Sequence, residues 1–184
     1  MADLHFVTTN DHKLLAATEV CSQFGIKLIR HNLELQEIQA DNGEAIALHK
    51  VRQAYDKLIS PVVITDDSWL IPGLNGFPGP YMKYMVDWLS IEDFVRLTSQ
   101  LKDRRIILRQ IIAYQDDRQA KVFSLDIEGV LLTEPRGASP IPHFSITSFD
   151  GGAHSAAELW STGSSSISER RTAWHALIAW LTMQ

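Results

Sequence analysis

The chain has one cysteine among its 184 residues, Cys21, so no intrachain disulfide can form, which is compatible with a reducing compartment. Cys21 sits among apolar residues and reads as a small core side chain. No stretch approaches the roughly 18 apolar residues of a membrane span, and the opening MADLHFVTTNDHK lacks the charged and apolar regions of a signal peptide. The expectation is a soluble, cytoplasmic protein with no membrane association. Basic runs are missing too. The formal net charge of -5 is spread along the chain, which disfavours a nucleic-acid polymer as partner and leaves small molecules, including an anion neutralised by a metal. Glycine and proline are modest at 10 and 7, against 45% apolar and 21% charged residues, the balance of an ordinary globular protein. The length suits one domain, at most with a small extra lobe.

The pattern that is present alternates. Residues 4–8 (LHFVT) predict a strand, and the turn TNDHK leads into apolar positions at Leu14, Leu15, Ala17, Val20, Cys21 and Phe24, a helical spacing stopped by Gly25. A second strand is expected over 26–31 and a second helix over 43–59, after which Pro61 breaks the chain before the strand VVIT. Strand and helix in alternation argue for an α/β fold, in which ligands gather at the carboxyl ends of strands. Both TTN and TDD fall at such ends in this reading. Residues 71–84 form a Gly- and Pro-rich structured loop, and 91–101 a helix. Residues 105–114 and 120–132 predict a hairpin, read as a meander projecting to form a second lobe. Loop-rich sequence follows over 135–153, then a closing helix over 168–182 with a capping box at Ser166–Glu169.

The chemistry concentrates in "VVITDDSWL", residues 62–70, where a β-branched run meets Asp66 and Asp67. Charge at the end of a buried strand costs free energy unless a basic group or a cation completes it. A further acid, Glu37, follows the second strand. Capping of the next turn is the commoner role for such aspartates, and the pair alone leaves both roles open. Thr8, Thr9 and Asn10 before a helix, with Lys13 on its first turn, suit a phosphate as well as an ordinary helix cap. The glycines of a P-loop are absent.

In order and at suitable distances, FVTTNDHKL, LQEIQ, LHKVRQA and VVITDDSWLIPGLNGFPGPYMKYM resemble the inosine triphosphate pyrophosphatase family, the house-cleaning Ham1 type. The resemblance continues through TEPRG to the last helix. It implies a long central mixed sheet with flanking helices and two lobes around a cleft. It also implies a homodimer, Mg²⁺ as cofactor, and hydrolysis of non-standard purine nucleoside triphosphates (ITP, dITP, XTP) to monophosphate and pyrophosphate. Carried over by position, Asp67 is the catalytic carboxylate near the metal, Asp66 the acid beside it, and Glu37 a metal-binding acid. Thr8, Asn10, Lys13 and Lys50 contact the triphosphate, with Lys50 grouped with the catalytic acids. Ser68 is the hydroxyl after the acidic pair, and Lys83 a basic position after the P-G-x-Y turn.

The C-terminal half departs from the pattern. After PRG (135–137) the family's purine-pocket segment is replaced by ASPIPHFSITSFDGG, which puts Ile141, Pro142, His143 and Phe144 at the base-contacting positions. The family's later lysine and histidine fall on Ser164 and Glu169, while Arg170 is retained. Trp69 replaces a small residue and Thr9 a glycine. A site stripped of the donors that read a base should accept different bases, so the resemblance implies a pyrophosphohydrolase of altered or relaxed base preference. Two rivals accompany it: a nucleotide-binding homologue weak in catalysis, and a hydrolase of another modified nucleotide.

Overall fold

The structure, a computed structural model, describes residues 3–162 and 172–183. In chain order the elements are β1 (Asp3–Val7), α1 (Asp11–Gln23), β2 (Lys27–His31), α2 (Gly43–Leu58), β3 (Val62–Leu70), β4 (Pro78–Gly79), α3 (Met82–Trp88), α4 (Ile91–Thr98), β5 (Arg105–Gln115), β6 (Ala120–Leu131), β7 (Thr147–Ser148), α5 (Ala156–Ser161) and α6 (Ala173–Leu181), with short 3₁₀ turns at Pro72–Leu74 and Pro142–Ile146. The strands form one mixed sheet in the order β2-β1-β3-β5-β6-β7, with β4 on β3. The α/β class and the long mixed sheet agree with the sequence reading. The chain divides into two compact units: Met1–Asp67, Gln110–Leu125 and Arg171–Gln184 make the first, and Ser68–Arg109 with Asp126–Arg170 the second.

In the first unit β1 runs parallel to both β2 and β3. Side chains of successive residues leave a strand on opposite faces, and the cores follow that alternation. Leu4, Phe6, Val63, Ile112 and Tyr114 pack with α1 and α6, where Phe6 meets the edge of Trp174 at 5.4 Å. Val7, Val62, Ile64, Ile111 and Ala113 pack instead with Ala47, Val51 and Ala54 of α2. Strand β5 thus feeds both cores, which corrects the projecting meander: a strand apolar on both faces belongs inside a sheet covered on both sides. Buried Ala17, Val20 and Cys21 form the inner stripe of α1. Leu15, expected in that stripe, is 71% exposed, since its spacing from Val20 carries it round the helix. Phe24 is also exposed; as the non-helical C-cap it leaves the stripe and meets His175 edge-on at 5.9 Å. Helix α6 begins at Ala173, later than expected, where the Thr172 N–H donates to His175 Nδ1 at 3.1 Å. The capping box proposed at Ser166–Glu169 lies outside the described residues.

Strand β3 corrects a second expectation. It does not stop at the acidic pair but continues for nine residues, with Asp66 and Asp67 in its middle. The strand end that matters is β1's: its ladder with β3 pairs His5 with Val62 and Phe6 with Val63, and β1 stops at Val7. The two acids therefore lie beyond the carboxyl end of β1.

In the second unit β4 pairs antiparallel with the end of β3, Trp69 opposite Gly79 and Leu70 opposite Pro78. Helix α3 begins inside the stretch expected as loop and runs past it, and α5 falls in a stretch to which the sequence reading assigned no element. Helix α4 opens on a Ser90–Asp93 capping box, and α5 on a Ser155–Glu158 one. Strand β7 pairs with β6 at Val130↔Ser148 and Leu131↔Thr147. Gly129 permits this approach, because a Cβ there would sit 2.6 Å from the Ser148 carbonyl oxygen. Ile71, Phe94, Ile146 and Phe149 are buried in this unit.

Candidate active site

The turn after β1 is built by local hydrogen bonds. Asn10 caps α1, its Oδ1 accepting from the N–H groups of His12 at 2.9 Å and Lys13 at 3.1 Å. The Asn10 N–H donates to Thr8 Oγ1 at 3.1 Å. Arg30 of β2 closes the turn from the side: Nε donates to the Thr8 carbonyl at 3.1 Å, Nη2 to the Thr9 carbonyl at 3.0 Å and Nη1 to Asp11 at 2.7 Å.

Strand alternation decides what each acid meets. Asp66 shares the face of Ile64, toward α2, and there Lys50 Nζ reaches it at 2.9 Å. Asp67 shares the face of Val63, toward α1, and Lys13 Nζ reaches it at 3.1 Å. Lys50 also donates to Glu37 at 2.8 Å, so one ammonium bridges two carboxylates. Burial would lower the Lys50 pKa, but the charge of Asp66 and the hydrogen bonds Lys50 donates to Glu37 and Asp66 outweigh it and hold the ammonium above the ordinary lysine value. Asp67 is more open than Asp66, with 31% against 16% of its side chain exposed, which leaves it the carboxylate better able to meet a water. Glu37 stands in an irregular segment that α2 holds in place: Gln53 accepts from the Gln36 N–H at 2.9 Å and donates to the Gln36 carbonyl at 2.8 Å, and Lys57 donates to the Glu34 carbonyl at 2.6 Å.

Thr8, Asn10 and Lys13 are thus assembled at one turn, Lys13 is tied to Asp67, and Glu37, Lys50 and Asp66 form a second cluster. Glu37 is joined to Asp66 rather than directly to Asp67. Among the described residues no three His, Cys, Asp or Glu side chains form a metal-holding group. The donor chemistry nonetheless suits Mg²⁺, which takes one or two carboxylates and completes its shell with water and substrate phosphates.

In the second unit Ser68 is buried, and its hydroxyl has no partner among the described residues. His143 is 7% exposed, and both its ring nitrogens lack hydrogen-bond partners among the described residues. Its ring meets Trp69 edge-to-face at 4.6 Å and Phe144 at 5.5 Å. Burial pushes its pKa down to about 4, so the imidazole is neutral at pH 7. Lys83 is exposed on α3 and has no ion-pair partner among the described residues. Ser164, Glu169 and Arg170 lie outside the described residues. Sequence reasoning missed Arg30 and Gln53, although Gln53 stands within LHKVRQA, one turn after Lys50.

Comparison with known proteins bears on the chain as a whole. A Methanosarcina acetivorans protein named dITP/XTP pyrophosphatase is 30% identical over 183 residues, covering 99% of this chain and 98% of its own. One of the same name from Methanopyrus kandleri is 30% identical across 95% of this chain and 94% of its own. The solved structure of a HAM1 protein from Coxiella burnetii superposes with a TM-score of 0.80 at 23% identity, covering 100% of both chains. The Staphylococcus aureus Ham1 protein gives 0.79 at 22% identity over 99% of each chain. The sequence model of the Ham1 family matches residues 4–180, so nearly the whole length of this chain belongs to that family.

Proposed function

We propose that the protein is a Mg²⁺-dependent nucleoside triphosphate pyrophosphohydrolase that cleaves NTP and water to NMP and pyrophosphate. The observation that carries the reading is the ion-paired set Lys13–Asp67 and Glu37–Lys50–Asp66 beside the Thr8–Asn10 turn. The relatives named dITP/XTP pyrophosphatase support it.

Phosphoryl transfer asks for a placed nucleophile and for positive charge around the phosphates, with little covalent help from the protein. Lys13 can exchange its carboxylate partner for a phosphate of the substrate. The exchange frees Asp67 to orient a water and take its proton, the role of a general base. Lys50 stays charged between its two acids and keeps Asp66 and Glu37 from repelling the substrate. Thr8 and the α1 N-terminus capped by Asn10 hold the polyphosphate. Asp67 and Glu37 are the carboxylates for Mg²⁺, which when bound supplies charge neutralisation of the phosphate oxygens. In the second unit Ser68 is the hydroxyl after the acidic pair, and His143 and Phe144 stand at the base-contacting positions of the family pattern. A neutral imidazole offers one donor and one acceptor, which suits relaxed reading of oxo and amino bases. The proposal includes a cytoplasmic homodimer. Among the described residues no helix is long and apolar enough to cross a membrane.

The test is pyrophosphate release, distinguished from phosphate, across a panel of standard, deaminated and modified nucleoside triphosphates with and without Mg²⁺. Asp67→Asn should lower kcat by at least about a hundredfold while nucleotide affinity is kept. An Asp67→Asn variant as active as the wild type, or wild type that binds nucleotides without turnover, would overturn the reading.

A further inference from the structure

Three oxygens of one turn converge on a single guanidinium. The carbonyls of Thr8 and Thr9 and the carboxylate of Asp11 each accept from a different nitrogen of Arg30. All three oxygens are of the kind that would repel a polyphosphate, and all three belong to residues 8–11, where the phosphates are proposed to sit. Asp11 is the sharpest case. An acid in the first turn steadies α1 through the helix dipole, yet its carboxylate also opposes any anion approaching the same helix end. Its side chain is 81% exposed, so the neighbouring guanidinium, not burial, offsets that charge. Arg30 comes from the adjacent strand, where it pairs in register with Phe6, on the face that α1 covers.

We infer that Arg30 is a positioning residue for phosphate binding: it draws the repelling oxygens of residues 8–11 to itself and leaves the turn's hydroxyl and Lys13 to the anion. A lysine at this place would supply the charge without the planar fork, which alone meets two carbonyls and a carboxylate together. The inference rests on the proposed phosphate site, and inorganic tripolyphosphate separates the two, because its binding needs neither turnover nor a base.

The experiment measures tripolyphosphate affinity by calorimetry, and KM and kcat for pyrophosphate release from dITP, in wild type, Arg30→Gln, Arg30→Lys, Asp11→Asn and the Arg30→Gln/Asp11→Asn pair. Arg30→Gln should weaken tripolyphosphate binding and raise KM about tenfold, with kcat within about threefold. Asp11→Asn on that background should regain several-fold, and Arg30→Lys should fall between the extremes. A merely structural role moves the melting temperature without this KM-against-kcat split or the rescue. Unchanged affinity in folded Arg30→Gln overturns the inference, as does wild type that does not bind tripolyphosphate. Should Arg30→Gln fail to fold, Arg30→Lys decides, and its equality with wild type is the overturning result. Tripolyphosphate binding that depends on Arg30 in a protein without turnover would sink the proposed function while sustaining the inference.

Discussion

Lys50 donates to Asp66 and Glu37 from a side chain only 18% exposed, so its removal leaves two carboxylates facing each other without a cation. Lys50→Met should cost about 2–3 kcal/mol at pH 7, the low end for breaking a buried pair because Glu37 is half exposed. Urea unfolding of the variant against the wild type at pH 7 checks this. The raised Lys50 pKa has its own sign. Its stabilising contribution is complete below the unfolded value of 10.5 and fades only as pH climbs through the higher folded value, so it is constant across neutral pH. His143 works the other way. Held neutral down to about 4 against 6.5 when unfolded, it lets the unfolded chain bind the extra proton between those values. Stability should therefore fall by about 3 kcal/mol as pH drops from 6.5 to 4 on this account alone. His143→Phe should remove that slope, read by denaturant titration at pH 4.5 and 7. At this scale the acids and lysines were legible by type, but spacing left capping and ligand binding open; only the resemblance singled them out. Arg30 and Gln53 were illegible because most of their partners are main-chain carbonyls and amides far along the sequence, and any residue supplies those.

Among the elements, α1 couples fold to site most directly. Asn10 satisfies two N–H groups of the first turn and is itself held by Thr8. Asn10→Ala should cost about 1 kcal/mol in urea unfolding and weaken triphosphate binding alongside, since cap and cradle are one turn. Strands β1 and β2 and helices α1 and α2 could be read from apolar runs set between turn signals, although Leu15 and Phe24 of the expected α1 stripe are exposed. Strand β3 could not, as charge in mid-strand looks like an ending until its neutralising lysines are known. The helix α3 hid behind a Gly- and Pro-rich run, and α5, only six residues long, gave too few turns for a period to register. The late start of α6 was obscured because Ser166–Glu169 offers the same cap chemistry that Thr172 and His175 provide.

For the whole molecule, the proposed homodimer would have a candidate surface on α3. Tyr84 and Trp88, 47% and 80% exposed, meet with tilted rings 5.9 Å apart, and exposed Lys83 and Asp87 lie beside them at the same four-residue spacing. Two such helices packed antiparallel about a twofold axis would set each Lys83 against the other copy's Asp87 and each Tyr84 against the other's Trp88. Trp88→Arg should therefore yield a monomer in sedimentation velocity, while a dimer indifferent to that change would place the contact elsewhere. This stripe was not legible beforehand, since it depends on which residues end up covered, whereas two lobes were expected from the family resemblance.

The buried thiol of Cys21 has a practical corollary. It is 1% exposed, and burial pushes its pKa up to about 12, so almost no thiolate exists at working pH. A cysteine introduced on the surface, at Leu15 in the first unit or Leu97 in the second, would be the sole fast-reacting thiol in the native chain. Fluorophores or spin labels can then be attached site by site without first building a cysteine-free background, and a pair of them, one per unit, would report on distance as nucleotide is added.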